Sequence, residues 1–354
     1  MNIKTTKATA PKVKPADESK LGFGQKFSDH MFMLDYDEGQ GWHDARIVPY
    51  GPLSLDPASP VLHYAQEIFE GLKAYRSQNN DILLFRPDEN AKRLNNSAAR
   101  MCMPEIDVAF NVEALRAITN MERDWVPASE GTTMYLRPTM IADGAGLGVH
   151  AAHKYIYYII CSPSGAYYKN GLAPIRIYVE DKYVRAVNGG TGYAKTGGNY
   201  AASLKAAGEA EKKGYEQVLW LDGVSREYVE EVGSMNMMYI VNDTLLTAAL
   251  EGNILSGITR MSILTLAKDM GIKVEERKIS ITELLEADAG GKLQEAFGTG
   301  TAAVVSPVGE LTYKDKTIKV NNGQIGPITQ KFYDTLTGIQ YGKLPDKYNW
   351  MVKV

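Results

Sequence analysis

From Gly189 to Tyr200 the chain reads GGTGYAKTGGNY, a single lysine among five glycines. Glycine reaches backbone conformations closed to other residues, so this run is a loop of unusual turns rather than part of a regular element. Upstream lies a strand-like IRIYV from Ile175, and downstream a helix is expected from about Asn199 to Lys213, closed by Gly214 in the C′ position. Three readings of the loop compete. As a phosphate-binding GxxxxGK[ST] loop it puts the lysine at Lys195 and the hydroxyl at Thr196, but Ala194 stands where a glycine belongs and the preceding EDKYVRAV is a poor buried strand. A purely structural glycine turn is the second reading. The third is a lysine that forms a Schiff base.

At 354 residues the chain has room for two domains with substantial cores. Its 39 basic and 42 acidic side chains leave a formal charge of -3, too little for a nucleic-acid or anionic-membrane footprint. Two cysteines, Cys102 and Cys161, make neither a disulfide framework nor a metal site, and fit a reducing, cytoplasmic compartment. No metal is expected. The longest wholly apolar run, YIYYIIC from Tyr155 to Cys161, is far below the ~20 residues of a membrane span and reads as a buried strand. The first twenty residues carry Lys4, Lys7, Lys12, Lys14 and Lys20 without a following apolar segment, and arginine is absent until Arg46, so the expectation is a solvated, flexible arm over about 1–20 rather than a targeting signal.

Leu72–Arg76 and Ile82–Arg86, separated by SQNND, predict a hairpin. Helical patterns follow over Asp88–Met101 and Asn111–Trp125, the second with Val112, Leu115, Ile118 and Met121 on one face, and then the strands MYLRPTMIA and YIYYIIC. The aperiodic PSGAYYKNGLAP is read as the link between domains, which gives an N-terminal domain over 1–163, a loop over 164–174 and a C-terminal domain over 175–354 that carries the lysine. In the second half the strand QVLWL, a strand pair from Val232 to Leu250, helices over Ile258–Met270 and Ile281–Ala287, and a last helix opened by Pro327 are expected.

YAKTGGNYAAS, EQVLWLDG, EEVGSMN, LSGITR and FGTGTAA occur in this order in the second half, and HYAQEIFEGLKAY, LFRPDENAKRLNNSAARM, DWVP, YLRP and GLGV in the first. Together they resemble the branched-chain amino acid aminotransferases of class IV, from about Phe27 to Val354. The resemblance implies a two-domain α/β fold of the class IV, D-amino acid aminotransferase-like type, pyridoxal 5'-phosphate as cofactor, and a homodimer or a higher assembly of dimers. It implies reversible amino transfer between leucine, isoleucine or valine and 2-oxoglutarate by a ping-pong route. D-amino acid aminotransferase and aminodeoxychorismate lyase share the architecture, and fold alone does not separate them. A P-loop nucleotide-binding protein is the reading from another class.

Carried onto this chain, the resemblance makes Lys195 the residue that holds the cofactor and moves a proton, a role that requires suppression of its charge. Glu231 would face the pyridine nitrogen; Glu230 is its confounder, and strand alternation lets only one of the two serve. Arg93, rather than Arg86, would meet the phosphate together with the backbone at Ile258 and Thr259 and with Thr301. Tyr200 would hydrogen-bond the phenolic oxygen. The substrate carboxylate would meet Thr301 and Ala302. Its apolar side chain would lie among Tyr64, Phe69, Tyr135 and Tyr167, with Leu147 and Val149 from the partner subunit, and Arg137 would receive a distal carboxylate. Some members of the family carry a CxxC pair after the GT motif; here Ala303 and Ser306 stand at those positions, so that thiol switch is not expected.

Overall fold

The computed structural model describes residues 1–167 and 172–354. Residues 168–171, within the expected 164–174 link, lie outside the described residues. The chain divides into two compact units, one formed by Met1–Tyr167, Ala194–Gly197 and Gly338–Val354 and the other by Tyr168–Tyr193 and Gly198–Thr337. Lys195, expected with the C-terminal domain, therefore groups with the first unit. The reason is hydrogen bonding to Glu67–Phe69: Phe69 N–H donates to the Lys195 carbonyl at 3.0 Å and the Thr196 hydroxyl Oγ1 to the Glu67 carbonyl at 2.7 Å.

In the first unit nine strands, counted among the described residues, form one sheet. The predicted hairpin is present as Leu72–Arg76 and Ile82–Phe85, and Leu72–Arg76 also pairs antiparallel with Thr133–Asp143. The latter runs along Lys154–Ser164 for its whole length. His30–Asp37 and Gly41–Pro49 extend the sheet on that side. Met351–Lys353, near the end of the chain, pairs with Ile82–Phe85. Helices Pro87–Arg100 and Val108–Met121 cover one face, where Leu94, Ala98, Leu115 and Ile118 pack on Phe32, Leu34, Leu72, Ala74, Tyr157 and Ile159. Each leucine, isoleucine or phenylalanine among these taken out of water contributes about 1.5–3 kcal/mol. The N-terminal arm is more tied down than composition suggests: Lys4–Thr5 pairs in parallel with Gly41–Pro49, and Lys12 Nζ donates to the carbonyls of Phe27 and Ser28.

The second unit is built on a closed circuit of six strands: Val229–Val232, Gln217–Leu221, Ile175–Glu180, Val304–Tyr313, Leu293–Gly300 and Met235–Val241, the last returning to the first. Closure leaves no free edge within the circuit itself. The expected strand pair over Val232–Leu250 is three strands, Val229–Val232, Met235–Val241 and Thr244–Thr247. The expected helix from Asn199 to Lys213 is broken into Gly197–Ala201 and Leu204–Lys212, where the Ser203 hydroxyl donates to the Tyr200 carbonyl at 2.7 Å and diverts it from the helical ladder. Gly214 does stand at C′ with φ +87°. Ile258–Asp269 and Ile281–Ala289 form as helices, and Pro327 opens the helix Pro327–Gln340.

Candidate active site

The first unit gathers one set of the expected residues. Gly71 sits so close to Tyr135 that any side chain there would strike the phenol, which explains a glycine after Phe69-Glu70. Tyr135 and Arg137, two residues apart on one strand, share a face, and Arg137 Nη2 donates to the Tyr135 hydroxyl at 3.0 Å. The Arg137 guanidinium stands 4.7 Å from the Phe69 ring centre, and Lys195 Nζ lies 4.8 Å from the same ring. Lys195 is thereby one wall of a small aromatic and cationic cluster. Its backbone N–H donates to Ser97 Oγ at 2.9 Å, fixing the loop against the helix that carries Arg93.

Burial of the Lys195 ammonium, helped by the positive charges of Arg93 and Arg137 and opposed by Glu70 and Tyr135, brings its pKa down from 10.5 to about 8. The surroundings thus suppress the charge of this lysine. A second lysine, Lys73, is lowered to about 8 by burial as well, and its cross-strand pairing with Tyr135 puts it on the same sheet face.

Arg93 is held by a group the sequence reading missed. Glu70, 1% exposed, accepts from Arg93 Nε at 2.7 Å and Nη2 at 2.8 Å, and from Asn90 Nδ2 at 2.7 Å. Burial pushes the Glu70 carboxyl up, but Arg93, Lys195 and Asn90 outweigh it and its pKa is lowered. The bidentate pair orients the guanidinium in one plane. Arg86 instead stands over the Trp350 ring at 5.3 Å.

The remaining residues of this group are more open. The Tyr64 hydroxyl donates to the Leu147 carbonyl of its own chain at 2.5 Å. Leu147 and Val149 are 65% and 84% exposed, and Tyr167 is half exposed. Cys102 is exposed, while Cys161 is fully buried and burial pushes its thiol pKa up.

The second unit carries a separate group. Glu230 and Glu231 are both buried in the strand Val229–Val232, although composition alone favours exposed strand carboxylates. They diverge as alternation requires. Glu231 Oε1 forms an ion pair with Arg185 Nε at 3.2 Å, and its Oε2 accepts from Asn236 Nδ2 at 3.2 Å and from the Leu255 N–H at 3.1 Å. Glu230 Oε1 takes Asn253 Nδ2, and Glu230 lines a cavity of about 310 Å³ with Asn188, Tyr228, Asn253 and Ile254. Burial first, then the charges of Glu231 and Asp222 against the opposing Arg185, raises its pKa from 4.5 to about 7. Arg185 and Asn236 were not legible as site residues: the arginine lies in an aperiodic segment, and the asparagine reaches Glu231 only through strand pairing.

Ile258 and Thr259 are the first two residues of a twelve-residue helix whose N-cap, Gly257, offers no side-chain cap. Its leading N–H groups and the positive end of the dipole suit an anion. Gly257 is required there, since a side chain would collide with Asn236 Oδ1. Thr301 and Ala302 form the turn between Leu293–Gly300 and Val304–Tyr313, and Tyr200 lies on the short helix Gly197–Ala201. Among the described residues no His, Cys, Asp and Glu cluster could hold a metal ion.

Residues 67–311 match the model of the amino-transferase class IV family. The chain is 55% identical over 353 residues to "Branched-chain-amino-acid transaminase 1" of Bacillus subtilis (strain 168), covering 99% of each. Its fold is similar to the crystal structure of the Escherichia coli branched-chain amino acid aminotransferase, with a TM-score of 0.75, 28% identity and coverage of 90% of this chain and 98% of that one. It is also similar to the T.th. branched-chain amino acid aminotransferase with pyridoxamine 5'-phosphate, with a TM-score of 0.75, 25% identity and coverage of 90% and 97%. A lysine with suppressed charge in a glycine-rich loop, an arginine-paired glutamate and a full-length likeness converge: the chain belongs to amino-transferase class IV.

Proposed function

We propose that this enzyme is a branched-chain amino acid aminotransferase, moving the amino group reversibly between leucine, isoleucine or valine and 2-oxoglutarate. The observation that carries the substrate reading is Arg137 beside Phe69 and Tyr135 at the Lys195 loop: an apolar wall with one fixed cation suits an aliphatic side chain and a distal carboxylate in turn.

Class IV aminotransferases use pyridoxal 5'-phosphate, which when bound supplies an electron sink for the carbanion formed at the substrate Cα. The residues present fit it. Lys195 has the depressed pKa of an attacking amine, and the uncapped start of Ile258–Asp269 offers N–H groups to a phosphate. In this reading Arg93, oriented by Glu70, and Thr301 share the phosphate with Ile258 and Thr259. Glu231, held by Arg185, keeps a proton on the ring nitrogen, and Tyr200 donates to the phenolic oxygen. Lys195 holds the cofactor and carries the proton between the substrate Cα and the cofactor C4′. The substrate carboxylate meets the N–H groups at Thr301 and Ala302; Tyr64, Phe69, Tyr135 and Tyr167 bound its side chain.

We further propose a homodimer, alone or within a higher assembly, in which the exposed Leu147 and Val149 cover the partner's substrate. A cytoplasmic setting is supported by the two unpaired cysteines, and among the described residues no helix is long and apolar enough to cross a membrane. The test is single-turnover kinetics of each half-reaction, with L-leucine and L-glutamate expected to convert the cofactor and D-alanine expected to fail. Conversion by D-alanine with no reaction of L-leucine would overturn the substrate reading.

A further inference from the structure

Glu67 opens the strand Glu67–Phe69, and its cross-strand pairing with Ile141, like that of Phe69 with Thr139, puts both side chains on the face that carries Tyr135 and Arg137. Its Oε1 accepts from the Gly197 N–H, and a side chain at Gly197 would collide with that oxygen. The carboxylate is therefore pinned beside the lysine loop by backbone. No hydrogen bond to its second oxygen is found among the described residues. Burial raises its pKa, against the Gly197 N–H and the charge of Arg137.

The Arg137 guanidinium lies against the Phe69 and Tyr135 rings. Among the described residues no carboxylate lies within ion-pair distance of it, and its buried Nε has no hydrogen-bond partner. The other carboxylate of this segment, Glu70, follows the opposite side of the pleat and is committed to Arg93 and Asn90. Glu67 is the acid in the field of Arg137, and Tyr158 feels both charges.

Resting on the substrate reading above, we infer that Glu67 is a specificity-determining residue. It balances Arg137 while an aliphatic side chain fills the site and opposes the entry of a second carboxylate. With leucine bound, the arginine keeps its counter-charge. With glutamate or 2-oxoglutarate bound, the distal carboxylate adds a second negative charge at Arg137, and Glu67 repels it. The bias is built into the pocket rather than into either substrate.

Glu67→Gln keeps the size of the side chain and an acceptor for the Gly197 N–H while removing the charge. Screened repulsion between two carboxylates several ångströms apart predicts that the ratio of kcat/KM for glutamate to that for leucine rises roughly tenfold in this variant. Glutarate should tighten relative to 4-methylpentanoate by a similar factor in calorimetric titration of the holoenzyme. Glu67→Ala, which removes the pinned group altogether, should shift the ratio in the same direction. In an Arg137→Met background the effect of Glu67→Gln should shrink, because the distal carboxylate is then no longer drawn to the guanidinium on the face of Glu67. An unchanged ratio in both Glu67 variants, or a shift that persists undiminished without Arg137, overturns the inference. Wild-type enzyme that turns over neither leucine nor glutamate removes the substrate reading and this inference with it, whereas active wild type with an unmoved ratio removes only the role of Glu67.

Discussion

Replacing Glu230 by glutamine should stabilise the protein above neutral pH, although it alters a buried residue next to Glu231. Glu230 is 3% exposed, its Oε2 has no hydrogen-bond partner, and its pKa stands near 7 instead of 4.5. Below pH 4.5 the carboxyl is protonated in both folded and unfolded chains and costs nothing. Between 4.5 and about 7 the unfolded chain releases a proton that the folded chain retains, so stability falls as pH rises and levels off once the folded carboxyl has ionised. Moving the group from 4.5 to about 7 corresponds to about 3 kcal/mol as an upper bound, which access of water through the adjoining cavity lowers to roughly 1–3 kcal/mol. Glutamine has no proton to lose, and its amide resembles the neutral carboxyl that the site prefers. Urea unfolding of wild type and Glu230→Gln from about pH 4.5 to 8.5, with cofactor at one saturating concentration, should show curves that separate across this window and run parallel above it. Curves that stay parallel throughout, or a variant less stable than wild type at about pH 8, would refute the argument.

Glu231→Gln should behave in the opposite way. It strands the buried Arg185 guanidinium, so a loss of about 3 kcal/mol in unfolding free energy is expected, together with a drop in kcat of roughly a hundredfold or more while cofactor is retained; equal kinetic effects of Glu230→Gln and Glu231→Gln would show that the two strand faces are misassigned. Arg137→Met should weaken the half-reactions of glutamate and 2-oxoglutarate at least tenfold more than that of leucine, measured as kcat/KM in single turnover. Equal losses would make Arg137 a structural residue. Diamide or hydrogen peroxide at moderate concentration should leave activity largely intact, because Cys161 is buried with a raised pKa and Cys102 has no thiol partner; inactivation reversed by dithiothreitol would contradict this.

The parts of the fold readable from sequence are those whose signals are local. The hairpin around SQNND, the helix ended by Gly271 and the strand QVLWL each carry their own turn residue or apolar run. His30–Asp37 and Gly41–Pro49 carry no clean alternation to mark them in sequence. The polar His30 at the head of the first is buried against Glu122, which lies 92 positions away. The turn that splits Met235–Val241 from Thr244–Thr247 is Asn242-Asp243 with φ of +46° and +59°, a legible hairpin signal that a single long strand pair obscured. In the proposed site, Lys195 and Glu231 stand in motifs that mark them in the sequence. Glu70, Arg185 and Asn236 are not so marked, because each acts on a residue that only pairing or packing brings to it. Glu67 stands inside a quoted motif, yet its meaning depends on the cross-strand register that sets it on the face of Arg137.

Lys195 is proposed as the amine that holds the cofactor. Lys73 is the demanding alternative, since it is also buried, also lowered to about 8, and shares the face of Tyr135. Borohydride reduction of the holoenzyme followed by peptide mapping decides between them. The pyridoxyl group should be found on the peptide containing YAKTGGNY, at Lys195, and Lys195→Ala should lose the visible absorption band while Lys73→Met keeps it. A label on Lys73, or a band that survives Lys195→Ala, would contradict the account.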